Sequence, residues 1–376
     1  MLIAGTILVS IYLLYPTVLL VGMVIAKYRI THYNVDNRPF VSVVVAAHNH
    51  QSEIERFLTA LLQQKYDVSR FEIILVDDGS TDLTLSRAQE IARCHPNRLT
   101  VLENQANRGK SRKKSALALG IQSARGEWIA LTDADTTPPA SWLQALAEHM
   151  HPQTVLIAGY SPQQSHTSTW WSDFLVTDSL ASAFVAAGTI SWNFGVTCTG
   201  RNLAYRRQEF CQIGGFAATP DTLSGDDDFI LQKIAKSGKG KLVYAFTPAS
   251  HIPATGPATI GKFLAQKQRH LSAGKKYSRF SQFNYAVFHL CNLLLIGAGL
   301  YGLGGNIHLF ILLPIKALID VIAISVFCRL LGSRLSLRGW LLWEIGFPLV
   351  HLLAAPKSFF GRVRWKSDDS NVSTPT

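Results

Sequence analysis

"EWIALTDADTTPPA", residues 127–140, sets two aspartates, Asp133 and Asp135, one residue apart at the end of an apolar run. Trp128 to Leu131 reads as a buried strand, and the Thr-Thr-Pro-Pro that follows cannot continue a hydrogen-bonded ladder. Both carboxylates therefore stand at a strand end. Such a pair is either a turn using Asp for local hydrogen bonds or a metal or phosphate site. The arrangement recurs upstream. "FEIILVDDGSTD", 71–82, carries Asp77 and Asp78 out of a β-branched run, with Gly79 to permit a tight turn and Ser80, Thr81 and Asp82 to cap a following helix. "FVSVVVAAHN" (40–49) and "LTVLEN" (99–104) read as further strands, separated by helical patterns over 52–64, 82–94 and 111–124. Strands alternating with helices imply an α/β fold with a parallel sheet, whose ligands bind beyond the carboxyl ends of the strands. Two acidic clusters at such ends face one crevice.

Around this middle the composition changes. The chain has 376 residues, 48% hydrophobic and only 16% charged, and its mean hydropathy is positive. Residues 1–26 carry no charged side chain and are long enough to cross roughly 30 Å of hydrocarbon. The first basic residues, Lys27 and Arg29, follow the segment, whereas a cleaved signal peptide has its charge before a shorter apolar core. The reading is a retained anchor with its N-terminus outside. Further spans are expected over 283–303, 307–328 and 339–355, with "GLGGN" as an uncharged turn between the first two. Arg329, Arg334 and Arg338 place the connection after the second of these in the cytosol by the positive-inside rule. Glu344 and Pro348 interrupt the 339–355 segment, so an interfacial or re-entrant helix competes with a crossing. Lys316 and Asp320, at i, i+4, read as a neutralised structural pair, with a polar lining for a lipid or glycan path as the alternative.

The five cysteines show neither a C-x-x-C nor a zinc spacing, which fits a reducing compartment. The net charge of +11 is concentrated in "GKSRKK" (109–114), in 267–276 and near 334. Anionic lipid headgroups or a nucleoside diphosphate account for it as well as nucleic acid would, and no nucleic-acid module is present in the sequence.

Taken in order, "VSVVVAAHN", "VDDGSTD", "NRGKSRKKSALALGIQSARGEWIALTDAD", "TGRNLAYRRQEFCQIGGF", "SGDDDFILQKI" and "QKQRH" resemble the motif series of glycosyltransferase family 2. The branch it resembles is the membrane-integral one, which includes cellulose and poly-N-acetylglucosamine synthases and ceramide glucosyltransferases. The likeness covers about 39–274. It implies a GT-A-like nucleotide-sugar-binding domain with a mostly parallel sheet, bracketed by membrane helices. The expected organisation is an anchor over 1–27, a cytosolic domain over 28–257, an amphipathic interface helix carrying QKQRH over 258–282, membrane segments over 283–357 and a polar tail over 358–376.

The resemblance also implies roles. Asp77 and Asp78, with Ala47 and Asn49 of the first motif, would hold the base and ribose of a nucleoside-diphosphate sugar, with a UDP-linked sugar the expected donor. Asp133 and Asp135 would hold Mg²⁺ or Mn²⁺, hard ions that take oxygen ligands and bridge diphosphate oxygens, with Asp133 also reaching the nucleotide. Lys110 and Lys113 would add positive charge, unless they form an exposed basic face. "GKS" is not a Walker A loop, since Asn104 stands where its first glycine would be. Asp227 falls on the family's general base, with Asp226 replacing the usual Glu, and gives single displacement with inversion. Gln266, Arg269 and His270 match Gln-x-x-Arg-Trp except that His replaces Trp, and would face the diphosphate and acceptor. Ala46 and His50 depart from the first motif and read as structural and peripheral. The implied activity is transfer of a sugar to a lipid or growing glycan at the cytosolic face of the inner membrane. A processive polysaccharide synthase, or a silent nucleotide-sugar-binding membrane partner, is the alternative.

Overall fold

The computed structural model describes residues 2–28, 38–105, 112–165, 168–220, 222 and 224–360. In chain order the elements are α1 (Leu2–Tyr28), β1 (Val41–Ala47), α2 (Ile54–Leu62), β2 (Phe71–Asp77), α3 (Thr84–Cys94), β3 (Leu99–Glu103), α4 (Arg112–Ser123) and β4 (Trp128–Leu131). Then come α5 (Trp142–Ala147), β5 (Thr154–Gly159), β6 (Gln163–Gln164), α6 (Thr169–Ser191), β7 (Leu203–Arg206), α7 (Arg207–Gln212), α8 (Asp226–Ser237), β8 (Lys241–Ala245) and β9 (Ala254–Thr255). The chain closes with α9 (Ile260–Gly274), α10 (Arg279–Gly302), α11 (Ile307–Phe310), α12 (Leu312–Leu331) and α13 (Leu337–Phe360).

Seven strands form one sheet in the order β3-β2-β1-β4-β7-β5-β8. It is parallel except at β7, which runs antiparallel to both β4 and β5. Its β-branched runs are covered on both faces, as a parallel sheet requires. Val44, Ile74 and Leu131 point into one core with Leu117 and Ile121 of α4. Their neighbours Val43, Val45, Ile73 and Leu75 meet Phe57, Leu58 and Trp142 on the other face. Gly120 lets α4 lie close on the sheet, because a Cβ there would sit 2.5 Å from Val44 Cγ1. The register Val44↔Ile74 and Val44↔Leu131 aligns β1, β2 and β4 so that their carboxyl ends open on one edge. The fold is thus α/β and GT-A-like, with the mostly parallel sheet expected from the alternation of strands and helices.

Five helices are long and apolar enough to cross a membrane by length and composition: α1, α6, α10, the 307–331 segment and α13. Their packing sorts them. α1, α10 and α12 pack on one another, and Lys27 Nζ at the end of α1 reaches Leu330 O at the end of α12 at 2.5 Å. α13 packs instead along α6 and α9. Arg338 Nε donates to Asp173 Oδ2 of α6 at 2.6 Å, and Gly346 lies against the Phe174 ring. α6 in turn sits on the sheet, with Tyr160 Oη 3.1 Å from Ser179 Oγ. The sequence reading contains no long apolar helix between 39 and 250, so α6 is a correction. Its alanines and aromatics are buried mostly inside the protein, between the sheet and the other helices, and its Ser, Thr and Asp residues break the continuous apolar run that marks a span. The Lys316–Asp320 pair, 2.9 Å apart, belongs to a larger network. Lys316 also pairs with Glu344 of α13, while Asp320 accepts from Tyr12 Oη at 2.8 Å and Asn292 Nδ2 donates to Tyr12 Oη at 3.2 Å.

Candidate active site

One cavity of about 3440 Å³ opens at the carboxyl edge of the sheet. Its wall gathers Ala47, Asn49, Asp78, Lys113, Asp133, Asp135, Asp226, Asp227, Gln266, Arg269 and His270 from positions far apart in the chain. Lys110 lies outside the described residues.

The β2 end divides its two acids. Asp77 is buried, and its Oδ2 accepts from the Gly79 and Ser80 amides at 3.1 and 2.9 Å. It builds the turn rather than the cavity wall, and its buried Oδ1 has no hydrogen-bond partner. Asp78 faces the cavity, and its Oδ1 accepts from Asn104 Nδ2 at 2.8 Å. Burial lifts the Asp78 carboxyl above its usual range, against the pull of Asn104 and Arg112. Asn49, with φ 57° in the left-handed region, crosses to the same turn and accepts from Thr81 N at 2.9 Å.

Beyond β4, Lys113 Nζ meets Asp133 Oδ1 at 2.7 Å. Burial opposes the charged form of Asp133, but Lys113 and Arg201 outweigh it and hold the carboxyl below its usual range. Asp135 is the opposite case. Burial and the neighbouring Asp133 charge raise it, and its Oδ1 is buried without a partner. An orphaned carboxylate oxygen beside a second carboxylate is a donor set that suits a hard divalent cation. Among the described residues no cluster of three or more His, Cys, Asp or Glu side chains forms a cage, so such an ion needs oxygens from a ligand or water.

The third cluster opens α8 after Gly225, whose φ of 88° turns the chain inward. Three adjacent acids have three environments. Asp226 Oδ1 pairs with Lys114 Nζ at 2.9 Å. Asp228 accepts from Thr197 Oγ1 at 2.9 Å, Cys198 N at 3.0 Å and the Tyr277 hydroxyl. Asp227 makes no hydrogen bond or ion pair among the described residues. It abuts Gly200, where any Cβ would collide with the carboxylate. Burial pushes Asp227 up to about 7, opposed by Lys113 and assisted by Asp226, Asp133 and Asp228. Burial pushes Asp228 to about 6 despite its three donors.

α9 closes the cavity. Gln266, Arg269 and His270 line it, while Lys267 turns to Asp178 of α6 at 2.6 Å. Burial, then Lys267, Arg269 and Arg201, push His270 down to about 3, so the ring is neutral at physiological pH.

These features invite comparison with known proteins. Residues 42–221 match the family described as glycosyl transferase family 2. An uncharacterized glycosyltransferase of Haemophilus influenzae is 33% identical over 115 residues, 31% of this chain and 34% of that protein. A beta-monoglucosyldiacylglycerol synthase of Nostoc sp. is 36% identical over 119 residues, 30% of this chain and 24% of that protein. The chain therefore spans about a third or less of the length of these curated relatives. A mannosyltransferase of Pyrobaculum calidifontis, solved with GDP-Man and Mn²⁺, superposes with a TM-score of 0.58 at 20% identity, over 94% of this chain and 99% of that one. That likeness is one of fold.

Within the matched region the structure adds residues that the motifs do not reveal. Arg112 lines the cavity beside Asp78, and Arg201 acts on both Asp133 and Asp135. His50, expected to be peripheral, lines the cavity and acts on the same two aspartates, while its backbone amide donates to Thr84 Oγ1 at 2.7 Å. Lys113 engages Asp133, and its neighbour Lys114, which the motifs do not single out, engages Asp226. Only the glycine of "TGR" hinted at the close approach to Asp227.

Proposed function

We propose that this chain is a membrane-integral, inverting glycosyltransferase that moves a sugar from a nucleoside-diphosphate sugar to a lipid or growing glycan at the cytosolic membrane face. The observation that carries this reading is the partnerless Asp227 carboxylate on the wall of the cavity that also holds Asp133 and Asp135. In it, Asp78 with Asn49 and Ala47 receives the nucleoside, and Asp77 supports that turn from behind. Asp133 and Asp135 would hold Mg²⁺ or Mn²⁺, which when bound neutralises charge on the departing diphosphate. Lys113 and Arg201 add fixed positive charge on that side, and Arg269 offers a planar fork to phosphate or sugar oxygens. Gln266 and His270 border the acceptor.

Asp227 takes the proton of the acceptor hydroxyl as its oxygen attacks the anomeric carbon. The bond from that carbon to the diphosphate breaks on the opposite side, and the configuration inverts. A base near neutrality suits this work, since it is ionised at physiological pH yet retains proton affinity. The relative named for a glucosyldiacylglycerol product supports a lipid acceptor. The chain is read as an inner-membrane protein whose α/β domain faces the cytosol.

The test is nucleoside diphosphate release by the purified full-length protein over a panel of UDP- and GDP-sugars, with Mn²⁺ or with EDTA. Release from one donor that EDTA abolishes is the expected result. Donor binding without release from any sugar would instead identify a silent membrane partner.

A further inference from the structure

The cavity is several times larger than the roughly 300–1,000 Å³ that a small-molecule site needs, and its surplus lies among the membrane helices. Leu14 and Val18 of α1, Phe184 of α6, Phe288 and Leu293 of α10 and Ile324 of α12 wall this second arm. Its rim carries Trp192, Phe194 and Phe280, which are 48%, 43% and 63% exposed. Trp192, whose indole has a polar edge, suits the level of lipid headgroups. Among the described residues the wall stops at Ile11 on α1, Leu293 on α10 and Asp320 on α12, so the outer portions of these helices take no part. The Tyr12–Asp320–Lys316–Glu344 network, with Asn292, ties the helices together at that end. The arm thus occupies only the inner stretch of these helices, and its walls are apolar.

We infer that the acceptor is a hydroxyl-headed membrane lipid, whose apolar chain lies in this apolar arm and whose hydroxyl meets Asp227. The inference rests on the glycosyltransferase reading and narrows its acceptor. A phosphate head would bring negative charge to three adjacent aspartates, of which only Asp226 has a lysine partner. Of the cations on this wall, Lys113 and Arg201 act on Asp133 and Asp135 on the donor side, and Arg269 serves the donor in the proposed mechanism. A hydroxyl head needs a proton acceptor, and Asp227 stands without another partner to provide one.

The test places the full chain in nanodiscs containing a diacylglycerol with a diazirine in its acyl chain. A parallel sample contains the phosphatidic acid with the same chains, and labelled peptides are mapped by mass spectrometry. Diacylglycerol should label Phe288, Leu293 and Ile324. That labelling should fall at least tenfold in both Ala286→Trp and Ala323→Trp, which fill the arm from different helices, while labelling of outward-facing Leu300 and Leu318 stays unchanged. Equal labelling of the arm by the phosphatidic acid, or labelling indifferent to both fillings, would overturn the inference. Its failure is distinct from that of the underlying reading, which fails only if no donor releases nucleoside diphosphate.

Discussion

Asp226, Asp227 and Asp228 share a chemistry and differ by one chain position each, yet only the middle one is left without a partner. In the proposed mechanism this makes Asp227→Asn the decisive variant. Transfer should fall by roughly 10²- to 10⁴-fold, the usual worth of general-base help, with donor binding nearly unchanged. Retained transfer in Asp227→Asn, together with loss in Asp226→Asn, would move the base to Asp226. The pH profile follows from the same burial. The base works ionised, so kcat/KM should rise with pH through about 7 on its acid limb, and the variant should lose that limb. Stability moves the other way. The folded carboxyl binds its proton more tightly than the unfolded one, so its contribution is full at low pH and is lost as pH rises through about 7. Asp227→Asn should therefore melt higher than the parent at pH 8, with little difference at pH 4.

At the scale of elements, the site depends on how α4, α8 and α9 are held over the sheet edge. α4 sends Lys113 to one acidic cluster and Lys114 to the other, so one helix start sets the charge of both. α9 is fastened to α6 by Lys267 and Asp178, whose side chains are only 15% and 8% exposed. Removing one partner of a buried pair strands the other charge, at a cost of about 3–5 kcal/mol, whereas replacing both with apolar residues of similar size is nearly neutral. Lys267→Met should thus lower the thermal midpoint clearly, and Lys267→Met combined with Asp178→Leu should recover most of the loss. Tryptophan fluorescence on heating reads this, since Trp171 lies against Phe263 of α9. A double variant no more stable than the single one would remove the pair from this role.

For the whole molecule, the ends of α1 and α12 meet at Lys27 and Leu330, beside Arg329. Those two helices run in the same direction, and the chain between them must return through α10. With basic residues at that end, the proposed topology sets the α/β domain in the cytosol and the 302–306 turn outside. Cysteine at Asn306 should react with an impermeant maleimide in intact cells, while cysteine at Ser224 should not. The native Cys94 and Cys211 are exposed on the α/β domain and provide a control within the same chain. Their labelling in intact cells would reverse the topology.

The strand–helix alternation, the placing of Asp133 and Asp135 beyond β4 and the helix carrying QKQRH were all legible in the sequence. Each follows from local periodicity or from turn chemistry within a few residues. The sequence could not separate Asp77 from Asp78, because one bond's difference decides which carboxylate caps the turn and which faces the cavity. Nor could it single out Arg201 or His50, whose surroundings come from segments far along the chain. α6 stayed hidden because its burial is provided by the sheet, α1 and α13 together, not by a pattern of its own. Local interactions are written in neighbouring residues. The charge environment of a carboxylate and the depth of a cavity are sums over distant ones, and only the folded chain performs that sum.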